Sequence, residues 1–404
     1  MVFIVQVGVA VMLPLLPLYA RSLGATPFTL GLLTSTFAIT NALGQLSTGF
    51  LAERVALRRL MAAGIGGYSL ANFLIAGAST AGALIAFRAF AGMGGGVMLV
   101  GERLYLVQIS DPSRLAFANG VLSAAGSAGS VVGPAVGGLL ASLADLRLPF
   151  LLVGLTSLLA TVGAFFLPRP PSEKAPSSDD AVVLPTGELP TATPAAPATL
   201  SQTASPSVRR RLGILLLAQL ALNSGFGAFI TTYGPFGEER LGWDTAQIGF
   251  VFALFGLGAI ALGPWLSRQA DLRGRRNFGI LGTVPVIAFS LVFWLQAPWP
   301  ILYAASVLAG AGLTTVQASW YALLADATEG GRRGRRFGAV TAFANLGIVV
   351  GATVAAQLWE ATDDVGVGFL ISALSLVCCA LAMLVHPRDV PRKPESEPAA
   401  AATA

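Results

Sequence analysis

Twelve stretches of this chain are apolar for about as long as a helix needs to cross a bilayer, and nothing else in the sequence narrows the fold as much. A spanning helix takes about 20 residues. The runs are 2–20, 28–51, 60–79, 82–107, 117–143, 148–167, 212–236, 245–266, 278–297, 299–324, 337–359 and 365–386. Only 11% of the 404 residues are charged and 54% are hydrophobic. A soluble domain carries roughly 25% charged residues, so this chain has too little charge for a water-facing exterior. The expected fold is an all-α membrane protein with twelve transmembrane helices. The first run starts beside Met1, with no basic segment before it and no small-residue cleavage site after it. It therefore reads as a retained span and not a signal peptide.

The net charge of +5 is informative through its distribution. With both termini cytoplasmic, 20 of the 25 Lys and Arg residues fall in cytoplasmic loops and tail. Three (Arg21, Arg147, Arg240) fall in outer loops, and two (Arg88, Arg103) lie inside spans. This asymmetry orients the chain in the cytoplasmic membrane, and it accounts for the basic composition without nucleic-acid binding. The only cysteines, Cys378 and Cys379, are adjacent in the last run. They cannot join distant segments, and neither a metal nor a cofactor is expected.

Residues 168–211 are rich in Pro, Ser, Thr and Ala with no amphipathic period, as expected of a disordered cytoplasmic linker. It divides the chain into a six-helix bundle at 1–167 and another at 212–386, with a cytoplasmic tail at 387–404. The bundles repeat. An offset of 218 superposes Pro17 on Pro235, Leu23-Gly24 on Leu241-Gly242, Gly31 on Gly249, Glu53 on Asp271 and Arg58 on Arg276. The same offset superposes Gly92 and Gly94 on Gly310 and Gly312, and Gly120, Gly129 and Gly133 on Gly338, Gly347 and Gly351. Two pseudo-symmetric six-helix bundles (6+6) in parallel repeat are built to rock about a site near the bilayer midplane.

Between the second and third runs stands "GFLAERVALRR", Gly49 to Arg59, and its copy in the second half is "SRQADLRGRR". The first resembles the signature loop of the major facilitator superfamily, with Glu53 in place of Asp and Ala56 in place of the second Gly. The copy keeps Asp271, Gly274, Arg275 and Arg276 but has Ser267 where the leading Gly belongs. The resemblance covers all twelve runs and implies a cytoplasmic gate at Gly49, Glu53, Arg54, Arg58, Arg59, Asp271, Gly274, Arg275 and Arg276. A carboxylate at a helix end can pair with Arg on the facing half. The alternative is that these arginines serve topology alone. For Arg332, Arg333, Arg335 and Arg336, topology or contact with anionic lipid is the expected role.

The fourth run carries Arg88 and Glu102, 14 residues apart and on nearly one helix face, separated by a rise of about 21 Å. Arg88 opens a pattern similar to the superfamily's fourth-helix motif, whose Arg is linked to proton coupling. Glu102 is the carboxylate clearly inside a span, and an intramembrane ionisable group is a functional candidate by default. It is either the coupling proton's carrier or part of a structural ion pair, with Arg103 reaching outward. The first run offers only Gln6 where many drug–proton antiporters of this family have an acid.

The fifth run, "GVLSAAGSAGSVVGPAVGG", is the most specific signal. Gly126, Gly129, Gly133 and Gly137 make a small-residue ridge for close packing in lipid, and Pro134 is expected to kink the helix. The spacing of Gly120, Gly129, Gly133, Pro134, Gly137 and Gly138 resembles the superfamily's fifth-helix antiporter motif, which is associated with export.

The substrate cavity is expected between spans 1, 4, 7 and 10, with Gln6, Tyr19, Gln219, Asn223, Tyr233, Gln317, Trp320 and Tyr321 as candidates. Each could equally be a packing residue. So uncharged a cavity suits an apolar or weakly cationic molecule. His386 is the only histidine and has no adjacent Ser, Asp or Cys set, which argues against an enzyme. No phosphate-binding loop appears, which argues against ATP as the energy source. The reading is a monomeric secondary transporter in the lipid bilayer, exporting a small-molecule substrate against protons. The alternative is a proton-coupled importer or facilitator of a small metabolite.

Overall fold

The computed structural model describes residues 2–52, 54–110, 115–168, 206–327, 340 and 343–387. Its helices are α1 (Val2–Ser22), α2 (Pro27–Leu51), α3 (Leu57–Ala76), α4 (Ala81–Ile109), α5 (Leu115–Leu143) and α6 (Leu148–Phe165) in the first half. The second half has α7 (Pro206–Leu241), α8 (Thr245–Ala261), α9 (Gly263–Arg273), α10 (Arg275–Trp294), α11 (Trp299–Ala327), α12 (Leu346–Thr362) and α13 (Val367–Val385). No strand occurs among the described residues. The fold is the expected all-α membrane protein of two six-helix halves.

Eight helices are long and apolar enough to cross a membrane, and the bent pair α8–α9 makes a ninth span. The bend of 43° falls at Leu262–Pro264, where Pro264 supplies no backbone donor. Position 46, its counterpart, is leucine, and α2 runs through unbroken. Helices α2, α3 and α12 complete the two sets of six. The first of these carries Thr, Ser, Asn and Gln along its length, and α12 has 17 residues. Exposed leucines and valines on α6 and α13, among them Leu159, Val162, Leu374 and Leu381, present an apolar exterior that suits lipid.

One boundary differs from the sequence expectation. Pro206–Arg211, assigned to the linker, is the first part of α7. Proline suits a helix start, and nothing between it and Leu212 breaks a helix. Within the span expected from 337, residues 340, 343 and 344 are helical and α12 follows a turn at Asn345, while 337–339, 341 and 342 lie outside the described residues. Residues 169–205, the rest of the linker, also lie outside them, as do Arg332, Arg333, Arg335 and Arg336.

The repeat extends to the turns. Gly24 (φ +81°) and Gly242 (φ +64°) end α1 and α7 in a conformation that a side chain would strain. Two residues later Thr26 accepts from the Thr29 N–H, and Asp244 accepts from Gln247 in a reciprocal capping box. Both are N-caps whose oxygen satisfies a free helix donor.

The start of α1, the end of α13 and the α2–α3 and α9–α10 loops lie at one face, here the terminal face. The α1–α2 and α7–α8 turns lie at the opposite face. Toward the opposite face the core is one body shared by both halves, with Met12, Leu15 and Tyr19 joined to Phe229, Tyr233, Phe289 and Phe369. Toward the terminal face it splits in two. Val5, Leu60, Met61 and Ile65 pack within the first half, and Leu215, Val316, Trp320 and Leu324 within the second.

Candidate transport cleft

The two halves join along symmetric seams. A side chain at Gly31 on α2 would meet the Ala356 methyl at 2.6 Å and the Ala352 carbonyl at 3.0 Å on α12. Its repeat partner Gly249 on α8 meets the Pro134 carbonyl and the Gly138 Cα on α5 in the same way. Small residues permit this backbone approach, which favours helix association in lipid. Hydrogen bonds reinforce it. Thr245 Oγ1 donates to the Gly138 carbonyl at 3.1 Å, Ser35 pairs with Thr353 at 3.1 Å, and Thr231 Oγ1 donates to Thr34 Oγ1 at 3.3 Å.

The α5 glycines therefore have two different tasks. Gly129, Gly133 and Gly137 seat α1: a Cβ at Gly129 would lie 2.9 Å from the Phe3 carbonyl, and one at Gly137 2.7 Å from Val11 Cγ1. Gly138 seats α8 of the other half. Gly126 meets nothing within 4 Å, which removes it from the expected ridge. Helix α5 continues through Pro134, whose carbonyl is the surface on which Gly249 rests. Gly120 is helical, and no side-chain environment is described there.

The same closed face carries ion pairs that sequence reasoning missed. Arg21, at the end of α1, bonds Glu238 at 3.4 Å and also Glu239, both at the end of α7. Its guanidinium lies 6.0 Å from the Trp359 ring on α12. The signal was present: Arg21 and Glu239 are 218 apart and opposite in charge. Arg240–Asp364 at 2.8 Å closes the same face within the second half.

The expected gate residues behave differently. Asp271 accepts from Arg275 Nε at 2.8 Å, and Arg275 Nη1 donates to Asp326 at 2.7 Å. These pairs join α9, α10 and α11 inside the second half and do not latch it to the first. Arg58 Nη1 donates to the Phe165 and Leu167 carbonyls at 3.1 and 3.2 Å. Arg276 donates to the Met383 and Leu384 carbonyls at 3.1 and 2.6 Å. Each caps the last helix of its own half. Gly274, at φ +114°, makes the α9–α10 corner. Arg54 and Arg59 are exposed, Gly49 is helical, and Glu53 lies outside the described residues.

At the terminal face α4 and α11 share no extended contact among the described residues, and the two halves have separate core clusters. Glu102 on α4 is half-buried, with Oε1 sealed from solvent and without a hydrogen-bond partner among the described residues. Arg103 lies within electrostatic reach of Tyr321 on α11. Gln317 and Tyr321 are half-exposed. Deeper in the second half, Phe226, Phe229, Phe255, Phe289, Ser290 and Ser372 line a cavity of about 30 Å³.

Other expected cavity residues are engaged in packing. Tyr19 donates from its buried hydroxyl toward the Ala76 and Ala78 carbonyls, both at 3.2 Å. Tyr233 donates to the Ile248 carbonyl at 2.8 Å and Trp320 Nε1 to the Leu215 carbonyl at 2.7 Å. In this conformation the three groups hold their own halves together and are not offered to a ligand, because buried polar groups need a partner. Gln6 donates to Ser130 Oγ at 3.1 Å, tying α1 to α5. Asn223 donates to the Ala344 carbonyl at 3.0 Å. Gln219 donates to Asn223 at 3.4 Å, leaving its own Oε1 buried and without a partner.

Residues 1–244 and 215–404 match the Major Facilitator Superfamily. Over 176 residues the chain is 28% identical to the quinolone resistance protein NorA of Staphylococcus aureus, covering 44% of this chain and 45% of that one. It is 26% identical over 160 residues to an uncharacterized MFS-type transporter of Methanocaldococcus jannaschii, covering 40% and 42%. The matched stretch thus spans under half the length of these curated relatives. Among solved structures, the nucleoside transporter NupG superposes with a TM-score of 0.76 at 13% identity, covering 95% of this chain and 97% of that one. A bacterial homologue of the human lysosomal transporter Spinster, inward-facing and occupied, gives 0.75 at 14% identity, covering 95% and 94%.

Proposed function

The chain belongs to the Major Facilitator Superfamily, and from that premise we propose that it exports small lipophilic molecules by proton antiport, through alternating access. The observation that carries this reading is the position of α5. Its glycine run, which resembles the antiporter motif, packs on α1 with one set of glycines and on α8 of the other half with Gly138. It is the helix about which one half can turn on the other. The partial similarity to NorA supports efflux over uptake.

In this reading the terminal face is cytoplasmic, the cleft opens inward and the protein works as a monomer in the cytoplasmic membrane. The two bundles, 1–167 and 212–386, are the rocking bodies. Glu102 carries the proton. An ionised carboxylate with a buried, unpartnered oxygen is expensive in an apolar setting. Proton uptake removes that charge, and exposure to water as the cleft opens restores it. Arg88 does not pair with it.

The test is reconstitution into liposomes with an acidic lumen and a trapped pH dye. Lipophilic aromatic compounds are added to wild type and to Glu102→Gln. Substrate-evoked proton release that disappears in the variant supports antiport through Glu102. Release that survives moves the proton site elsewhere. Substrate flux without proton movement overturns antiport and leaves a facilitator.

A further inference from the structure

Arg88 is a buried cation that the protein has left without a counter-charge. Its residue is 6% exposed, and none of the ion pairs among the described residues includes it. Its Cζ lies 3.8 Å from the centre of the Phe37 ring, and Nη1 lies 3.9 Å from Met12 Sδ. The Tyr68 hydroxyl, 3.2 Å from the same sulfur, is within its reach. Nε has no hydrogen-bond partner among the described residues. A ring face and a thioether offset only part of what burying a guanidinium costs.

The repeat shows that the fold does not require this charge. At the offset of 218 Arg88 corresponds to Ser306 and Tyr68 to Val286, while Phe37 is matched by Phe255. The second half keeps the aromatic ring without the cation, and Phe255 and Val286 there line the apolar cavity. Phe37, Phe226 and Phe255 all border the core shared by the two halves. Phe37 itself is partly exposed, and its ring lies over the guanidinium.

We infer that Arg88 is a recognition site for a carboxylate on the transported molecule, whose aromatic body rests between Phe37 and the Phe226–Phe255 wall of the second half. The guanidinium offers Nε and Nη as a fork matched to two carboxylate oxygens, and Tyr68 can turn its hydroxyl to donate to the same group. The substrate class is then amphiphilic aromatic acids or zwitterions, in place of the apolar or weakly cationic molecules expected from the sequence. This inference rests on the reading of the cleft as a transport path.

The experiment uses the full chain with three ligands on one scaffold: 2-naphthoate, its methyl ester and 2-naphthylmethylammonium. Binding is followed by titration calorimetry and uptake in proteoliposomes. Wild type should bind the acid at least tenfold more tightly than the ester. Arg88→Gln should bring the two within about twofold while ester binding is unchanged, and Arg88→Lys should keep part of the preference. Equal binding of acid and ester by wild type, which needs no variant to fold, overturns the inference, as does a preference that survives Arg88→Gln. Movement of ester or amine without acid overturns it and leaves the transport reading standing. Movement of none of the three overturns both.

Discussion

Arg21 and Glu239 occupy the same position in the two repeats, 218 residues apart, and they meet as an ion pair at the closed face. Equivalent residues can touch only near the axis that relates the halves, so the ends of α1 and α7 lie beside that axis. The pair is partly exposed, as is the Arg21–Glu238 contact. Such a pair contributes up to about 1 kcal/mol, and the Trp359 ring adds about as much again. Arg21→Ala is expected to shift the ratio of open to closed forms of this face by up to about thirtyfold. Spin labels placed across the face report the ratio. The charge swap Arg21→Glu with Glu239→Arg should restore closure, and raised salt should weaken the wild-type pair.

Glycines in one run of α5 should differ sharply on substitution. Gly138→Leu places a side chain against the Thr245 carbonyl and the Gly249 Cα of the other half. Overpacking costs about 1–3 kcal/mol, and transport in proteoliposomes should fall by more than tenfold. Gly126→Ala meets open space. It should leave transport intact and raise the melting temperature slightly, since alanine favours helix by about 1 kcal/mol.

Arg58 and Arg276 should prove to be stability residues. Each makes two charge-assisted bonds to the final carbonyls of its half, and each alanine variant is expected to lose about 1.5–3 kcal/mol. Arg276→Ala should be the costlier because its bond to Leu384 is the shortest of the four, at 2.6 Å. Lysine keeps the charge without the fork and should rescue part of the loss. Thermal unfolding of the purified variants measures all four.

Arg275 shares itself between Asp271 and Asp326 and is 8% exposed. Removing one carboxylate leaves the guanidinium the other. Asp271→Asn and Asp326→Asn should each cost about 1 kcal/mol, while the double variant should exceed the sum of the two by about as much again. A thermodynamic cycle on apparent unfolding checks this. Strict additivity would mean that the two pairs act independently.

The family loop was legible because its arginines stand at fixed places in the repeat, but the partners of those arginines were not. Arg58 and Arg276 carry like charge at matched positions, and from sequence alone they look like gate cations. In the fold each lies beside the end of the sixth helix of its half, where free carbonyls are the nearest acceptors. Asp271 likewise found Arg275 four residues along, across the Gly274 corner that joins α9 to α10. The closing pair was passed over because Arg21, Glu238 and Glu239 look like ordinary loop charges until α1 and α7 end side by side.

The sequence by itself determined the class of solvent, the twelve spans, the 218-residue repeat and the places where backbones must come close. These follow from hydropathy and from glycine, which act through local chemistry. Only the tertiary structure decided that the core is shared at one face and divided at the other, that Tyr19, Tyr233 and Trp320 are packing residues, and that Arg88 has no counter-charge among the described residues. Whether a buried polar atom is partnered depends on what lies within about 3 Å of it, and those neighbours come from helices tens or hundreds of residues away.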